Sequence, residues 1–144
     1  MPKKFKIFLD SSALISGLNS PTGAAGLIIS AFLAGEFFVF ISEQVVEEVQ
    51  RNIQTKFPLL QERFLAFFLA RPEIIKQPSL GEIRIAHKLI NSADAPILAA
   101  AIKSKPDFLV TWDKKHFLKK EILLNMPFII STPQDFLQRY WKRK

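Results

Sequence analysis

The sequence Lys-Ile-Phe-Leu-Asp-Ser-Ser-Ala at residues 6–13 decides the fold class of this chain. Its apolar residues follow one another without alternation, which is typical of a strand that is buried on both faces in a parallel sheet. The strand ends at Asp10, and we expect a short helix from Ser11 onward. Short apolar runs of the same kind recur at Phe38–Ile41, Ile74–Ile75, Phe108–Thr111 and Phe128–Ile130.

Helical patterns fill the intervals between these strands. They cover Ser11–Leu18, Thr22–Ala34, Ser42 to about Lys56, Pro58–Ala70, Leu80–Leu89, Ala95–Lys103 and a last segment from Thr132. Strands that alternate with helices favour a parallel sheet with helices on both faces. We therefore predict an α/β fold with three layers, α/β/α, around a central and mostly parallel sheet of four to five strands. The 144 residues are expected to form a single domain.

The composition excludes several classes of protein. The chain has no cysteine, so a disulfide framework and a thiolate zinc site are both excluded, and a reducing cytoplasm is the expected location. No stretch reaches the roughly 18 uninterrupted apolar residues that a membrane helix requires. The formal net charge is +7. This charge favours a polyanionic partner such as RNA, but solvated helix faces explain it equally well.

Four carboxylates carry the functional signal, namely Asp10, Glu48, Asp94 and Asp113. Three of them stand where a strand or a polar loop passes into a helix. In an open parallel sheet, these junctions lie near one crevice at the carboxyl ends of the strands. Acids that converge there repel one another, and a bound divalent cation is the natural reason to gather them. Carboxylate oxygens suit Mg²⁺ or Mn²⁺, so the pattern favours metal-assisted hydrolysis of a phosphodiester.

Each aspartate also has a purely structural explanation. Asp10 and Asp94 can cap the helices that follow them, and Asp113 can stabilise a turn with its own side chain. The neighbouring hydroxyls are equally ambiguous. Ser12 and Thr111 can position a water or a phosphate oxygen, or they can act as a helix cap and as an ordinary strand residue.

Glu48 is assigned by its position on a helix. Val45, Val49 and Ile53 belong to an apolar stripe about 100° wide on that helix. At ~100° per residue, Glu48 lies roughly 110° from the centre of the stripe and Glu47 roughly 150° from it. Glu47 therefore faces solvent, whereas Glu48 flanks the buried face and can reach over the edge of the sheet.

Two lysines and two histidines are assigned by their positions in the sequence. Lys114 and Lys115 come directly after Asp113, and we predict that they contact a nucleic-acid backbone. His87 and His116 are too isolated in the sequence to form a zinc site. We expect both histidines at the surface.

Taken in order, the segments that carry the acids resemble a PIN domain. The first strand ends in Asp10 beside a hydroxyl residue, and the helix motif is Val46-Glu47-Glu48-Val49. The third segment reads Asp-Ala-Pro-Ile-Leu-Ala-Ala-Ala from Asp94, and the fourth reads Leu-Val-Thr-Trp-Asp and ends at Asp113. The resemblance extends over nearly the whole chain. In length and in its motifs, the chain is most similar to the single-domain PIN toxins of toxin–antitoxin pairs.

The resemblance implies a ribonuclease that depends on Mg²⁺ or Mn²⁺, with Asp10, Glu48, Asp94 and Asp113 as ligands. It also implies tight inhibition by a small cognate antitoxin. The chain departs from the family at two positions. Ser12 stands where the family often has Asn, and Trp112 stands where Gly is usual.

Two other functions remain open at this stage. A non-catalytic module that binds RNA or assembles with other proteins can keep the same fold. A haloacid-dehalogenase-like phosphatase is the weaker alternative, because its chemistry requires a second Asp where this chain has Ser12.

The helices Thr22–Ala34 and Phe57–Ala70 are unusually apolar. They carry Phe32, Phe57, Phe64, Phe67 and Phe68. These rings can be buried within one chain, or they can form an exposed patch for association. We expect a homodimer, in which such helices also capture the antitoxin as they do in PIN-like toxins.

Overall fold

The computed structural model of the chain describes residues 4–90 and 94–141. Its centre is a sheet of five strands in the order β3-β2-β1-β4-β5, and every neighbouring pair is parallel. The strands are β1 (Lys6–Leu9), β2 (Phe38–Ser42), β3 (Glu73–Ile75), β4 (Phe108–Val110) and β5 (Ile129–Ser131). The strand order reverses at β1, so the crevice beside β1 and β4 is where such sheets bind ligands.

Helices follow the strands, as the sequence predicts. They are α1 (Ser11–Asn19), α2 (Ala24–Leu33), α3 (Glu43–Thr55), α4 (Gln61–Leu69), α5 (Leu80–Leu89), α6 (Ala95–Ser104), α7 (Lys120–Leu123) and α8 (Pro133–Asp135), which continues as a π-helical turn at Phe136–Tyr140. The three-layer α/β/α fold is thus confirmed. Two details differ, because Pro58–Leu60 forms a 3₁₀ turn before α4 and the short helix α7 was not predicted.

The strand β1 lies in the middle of the sheet and of the hydrophobic core. Ile7, Phe8 and Leu9 are buried almost completely. Phe8 lies in register with Phe40 of β2 and with Leu109 of β4. Burial of apolar side chains on both faces explains the unbroken apolar run of the sequence, and it holds the carboxyl end of β1 in the middle of the sheet.

A close contact between α1 and α2 fixes the direction of α1, which begins directly after Asp10. A Cβ atom on Gly26 would lie 2.3 Å from the carbonyl oxygen of Ser20 and 2.4 Å from that of Pro21. A Cβ atom on Gly17 would lie 2.4 Å from Cδ1 of Ile29. Gly26 therefore allows a close approach of the backbone, whereas at Gly17 the nearest atom is the movable end of the Ile29 side chain.

The apolar helices bury their aromatic rings and expose leucines. Phe32, Phe64 and Phe67 are buried, and the rings of Phe64 and Phe68 pack together with centroids 4.6 Å apart. Of the two alternatives, burial within the chain therefore holds for these three rings. The exposed apolar residues on or beside these helices are Leu33, Leu59, Leu65 and Leu69.

Within the described residues, no helix is both long enough and apolar enough to cross a bilayer.

Gly26 and Gly81 offer a matched test of the α1–α2 contact. We expect Gly26→Ala to lower the free energy of unfolding by about 2–4 kcal/mol, because the new methyl group meets backbone atoms that cannot yield. Gly81→Ala should leave stability unchanged or raise it by up to about 1 kcal/mol, since the site is helical and open. Urea unfolding measures both, and equal losses would contradict the proposed contact.

Candidate metal centre

The candidate site lies at the carboxyl ends of β1 and β4. Asp10 follows β1 directly, and its backbone N–H donates to the carbonyl of Val110 at 3.3 Å. Thr111 follows β4, and its N–H donates to the carbonyl of Ser131 at 3.0 Å. Hydrogen bonds of the sheet type therefore continue past the assigned strands and hold these two positions side by side.

Asp10 is a buried carboxylate with three donors. Its Oδ1 accepts the backbone N–H of Ala13 at 2.9 Å and the hydroxyl of Ser12 at 2.8 Å, and its Oδ2 accepts the hydroxyl of Thr111. Burial raises the pKa of Asp10 to about 6 against the effect of these donors, and the charge of Asp94 adds to the rise. Asp10 therefore caps α1 as expected, and it also stays close to the other acids.

The two predicted hydroxyls connect the β1 end with the β4 end. The Ser12 hydroxyl oxygen accepts the backbone N–H of Trp112 at 3.1 Å. The Thr111 hydroxyl oxygen accepts the N–H of Asp113 at 2.9 Å while its proton is donated to Asp10. Both residues therefore orient the acids through direct hydrogen bonds.

Asp94 stands immediately before α6 but does not cap it with its side chain. The pKa of Asp94 is raised to about 6. Burial is the largest cause, a hydrogen bond with Asp113 and the charges of Asp113 and Glu48 add to it, and the charge of His116 opposes it. The capping explanation is wrong for Asp94. Its carboxylate belongs instead to a cluster of acids.

Asp113 is held by His116, a residue that sequence reasoning missed. The backbone N–H of His116 donates to Oδ1 of Asp113 at 3.0 Å, and its Nδ1 lies 2.9 Å from Oδ2. The same Nδ1 lies 3.5 Å from Oδ2 of Asp94, and the His116 side chain is only 34% exposed. Burial alone would raise the pKa of Asp113, but the hydrogen bonds and charge of His116 lower it overall.

The expectation of a surface histidine is thus wrong for His116 and correct for His87, which is exposed on α5. The signal for His116 was its spacing of three residues from Asp113. That spacing places the imidazole over the carboxylate in a turn.

Glu48 enters the site from α3. Its carboxylate accepts the hydroxyl of Ser11 and the side-chain amide of Gln44, the latter at 3.2 Å. The charge of Glu48 makes the smallest of the contributions to the raised pKa of Asp94. Glu47 is exposed, while Val45 and Val49 are buried, so the predicted orientation of α3 is confirmed.

The donor set suits a hard divalent cation. One carboxylate oxygen of Asp94, one of Asp113 and a ring nitrogen of His116 lie within 4.8 Å of one another. Asp10 and Glu48 stand farther out but within electrostatic reach of Asp94. Lys114 and Lys115 are exposed directly after Asp113. The oxygen-rich cluster fits Mg²⁺ or Mn²⁺.

Comparison with known proteins gives a consistent picture. A family model described as "PIN domain" matches residues 6–115, which contain all four acids. VapBC2 from Rickettsia felis, in a crystal structure with a DNA fragment from their promoter, is 24% identical with a TM-score of 0.62, over 88% of this chain and 98% of that chain. PAE2754 from Pyrobaculum aerophilum is 17% identical with a TM-score of 0.59, over 93% of this chain and 88% of that chain. None of the curated proteins compared with the chain matches it.

Asp94 and Asp113 should respond in opposite directions when each is neutralised in metal-free protein. The raised pKa of Asp94 means that its charge destabilises the fold at pH 7.5, so Asp94→Asn should increase the free energy of unfolding by on the order of 1 kcal/mol after solvent screening. The lowered pKa of Asp113 means that its charge stabilises the fold above its unfolded pKa, so Asp113→Asn should decrease the free energy of unfolding.

Urea unfolding in EDTA between pH 4 and 7.5 measures both effects. The advantage of Asp94→Asn should shrink as the pH falls through about 6, because the folded wild type then binds a proton at Asp94. Shifts of the same sign for both variants at pH 7.5 would contradict this account of the site.

Proposed function

Because the chain belongs to the PIN-domain family, whose model covers residues 6–115, we propose that it is an endoribonuclease that depends on Mg²⁺ or Mn²⁺. The observation that supports this proposal is the group of Asp94, Asp113 and His116, whose ligand atoms lie within 4.8 Å of one another, with Asp10 and Glu48 within electrostatic reach of Asp94. Burial is the largest cause of the raised pKa of Asp10 and of Asp94, and repulsion from neighbouring carboxylates adds to it. A cation would offset that repulsion.

Asp10, Glu48, Asp94 and Asp113 would hold the cation. A bound divalent ion lowers the pKa of water and stabilises negative charge on a phosphate. The chain's own contribution is orientation, because Ser12 and Thr111 fix Asp10, Ser11 and Gln44 fix Glu48, and His116 fixes Asp113. Such preorganisation removes the need to rearrange charged groups during the reaction.

The family often has Asn at the position of Ser12, but this replacement does not remove the orientation of Asp10. Ser12 donates to Asp10 and accepts from the backbone of Trp112, so its hydroxyl connects the two halves of the site. We therefore propose that Ser12 and Thr111 act as positioning residues. The acids remain the groups that meet the cation.

The RNA backbone is proposed to reach the site along basic surface on two sides. Lys114 and Lys115 are exposed beside Asp113. A groove along α3 begins at Glu48 and continues past Arg51 and Lys56. Cations on both sides of an acidic centre attract phosphates without selecting a base sequence.

We also propose that the chain is the toxin of a toxin–antitoxin pair and acts in the cytoplasm. A groove between α1, α2 and α4 is lined by apolar residues, among them Leu18, Ile29, Leu33, Ala66 and Phe67. The net charge of +7 suits an acidic partner. The proposed occupant of this groove is a segment of the cognate antitoxin with apolar anchors.

The exposed leucines of α4, Leu65 and Leu69, are the proposed homodimer contact.

Metal-dependent cleavage is tested with single-stranded or looped RNA. The wild type should cut in Mg²⁺ or Mn²⁺ and stop in EDTA. Glu48→Gln should lower the rate by about 10²-fold or more, since the loss of one preorganised charged group typically costs that much. Asp10→Asn and Asp94→Asn should abolish cutting, with the fold checked by circular dichroism.

The matched control is Glu47→Gln, which changes an exposed neighbour of the same type and should cut at the wild-type rate. Wild-type cutting by Asp10→Asn would place the reaction elsewhere. RNA binding that is unchanged in EDTA, without any cleavage in metal, would instead favour the non-catalytic module.

The two partner surfaces are tested with variants on different faces. Leu65→Glu combined with Leu69→Glu should convert a dimer into a 16.4 kDa monomer in light scattering at micromolar concentration, because charges would be buried in an apolar contact.

Ala66→Arg should weaken binding of the co-expressed product of the adjacent gene by filling the groove. Leu124→Glu, which changes an exposed leucine in a turn, is the control for both. A wild-type monomer would refute the dimer, and full antitoxin binding by Ala66→Arg would refute the groove.

A further inference from the structure

His116 lies beside two of the four candidate acids, although it was not among the predicted ligands. Its Nδ1 lies 2.9 Å from Oδ2 of Asp113 and 3.5 Å from Oδ2 of Asp94. All three ligand atoms of these residues fall within 4.8 Å of one another. Adjacent ligands of an octahedral ion with bonds of 2.0–2.1 Å stand about 3 Å apart. The imidazole nitrogen and the two carboxylates are therefore spaced like members of one coordination sphere.

The backbone holds the imidazole in this position. The N–H of His116 donates to Oδ1 of Asp113 at 3.0 Å. The N–H of the next residue, Phe117, donates to the carbonyl of Asp113 at 3.2 Å, and its side chain is completely buried. Phe117 thus anchors the turn in the core. The protein itself therefore places His116 beside Asp94, without a bound ion.

We propose that His116 is a direct nitrogen ligand of the cation that Asp94 and Asp113 hold, and that this ligand makes the centre prefer Mn²⁺ to Mg²⁺. The proposal rests on the proposed function for the presence of the cation. With the ring proton on Nε2, Nδ1 offers its lone pair to the ion. Imidazole binds transition-metal ions well, whereas Mg²⁺ prefers oxygen ligands and retains its water.

A competing explanation makes His116 only a hydrogen-bond donor that orients Asp113. The variant His116→Asn separates the two explanations. The Asn side chain places an amide near the position of Nδ1, so it can still donate to Asp113, but it has no imidazole nitrogen. If orientation is the whole role, this variant should behave like the wild type. If ligation is the role, it should behave like His116→Ala.

The first measurement is pulsed electron paramagnetic resonance of the full chain with bound Mn²⁺. The wild type should show modulation from a directly bound ¹⁴N nucleus, and His116→Asn should not. His87→Asn changes the other of the two histidines and should retain the signal. An absent nitrogen signal in the wild type, or a signal that persists in His116→Asn, would overturn the proposal.

The second measurement is the affinity for each ion, by calorimetric titration with Mn²⁺ alone and with Mg²⁺ alone. His116→Asn should lose Mn²⁺ affinity by about tenfold or more and Mg²⁺ affinity by clearly less. An equal loss for both ions, or no loss, would overturn the proposal. Melting curves in EDTA verify that both histidine variants are folded.

Failure of this inference is distinguishable from failure of the proposed function. A wild type that binds Mn²⁺ through nitrogen but cuts no RNA would support His116 as a ligand and refute the ribonuclease. A wild type that cuts RNA in Mn²⁺ without a nitrogen signal would refute His116 as a ligand and leave the ribonuclease standing. A wild type that binds neither ion would refute both.

Discussion

The burial of carboxylates near the ends of β1 and β4, together with their mutual repulsion, is the constraint on which the candidate site depends. Asp10 and Asp94 have a pKa raised to about 6, and burial is the largest cause for each. A fold can hold such groups only if each one has donors of its own. Asp10 has the N–H of Ala13 and the hydroxyls of Ser12 and Thr111, and Asp113 has the backbone N–H of His116. The structure therefore gives Asp10 and Asp113 donors of their own, and the proposed cation would offset the repulsion that remains.

The topology determines which segments can supply these donors. The strand β1 lies in the centre of the sheet, between β2 and β4, so the residues after β1 and after β4 become neighbours although they are about a hundred positions apart in the sequence. Ser12 can therefore accept a hydrogen bond from Trp112, and Thr111 can donate one to Asp10. The buried apolar strands hold this edge rigid. The functional groups need only short loops to reach one another.

The surfaces proposed for RNA and for protein partners lie on different elements. The basic residues Lys114 and Lys115 and the groove along α3 border the acids. The apolar groove is formed by α1, α2 and α4. Because α1 begins at Asp10 and also lines that groove, a partner bound there would contact the same helix whose N-terminus holds the site. If the proposed antitoxin binds in this groove, this connection would give it a short structural path to the candidate site.

The amino-acid sequence was enough to predict most of the strands and helices and the parallel sheet, and to nominate four candidate acids, because these depend on local periodicity and on residues at element ends. It also determined that Glu48, and not Glu47, faces the site, since the stripe of Val45, Val49 and Ile53 orients α3. The tertiary structure alone decided three other matters. It showed that Asp94 does not cap its helix, that Phe64 and Phe67 are buried while Leu65 and Leu69 are exposed, and that His116 joins Asp94 and Asp113. The surroundings of Asp94 and the face that α4 buries depend on segments that are distant in the sequence, and so does the approach of His116 to Asp94, although its contact with Asp113 is local. No local pattern specifies which face of a helix such distant contacts will cover.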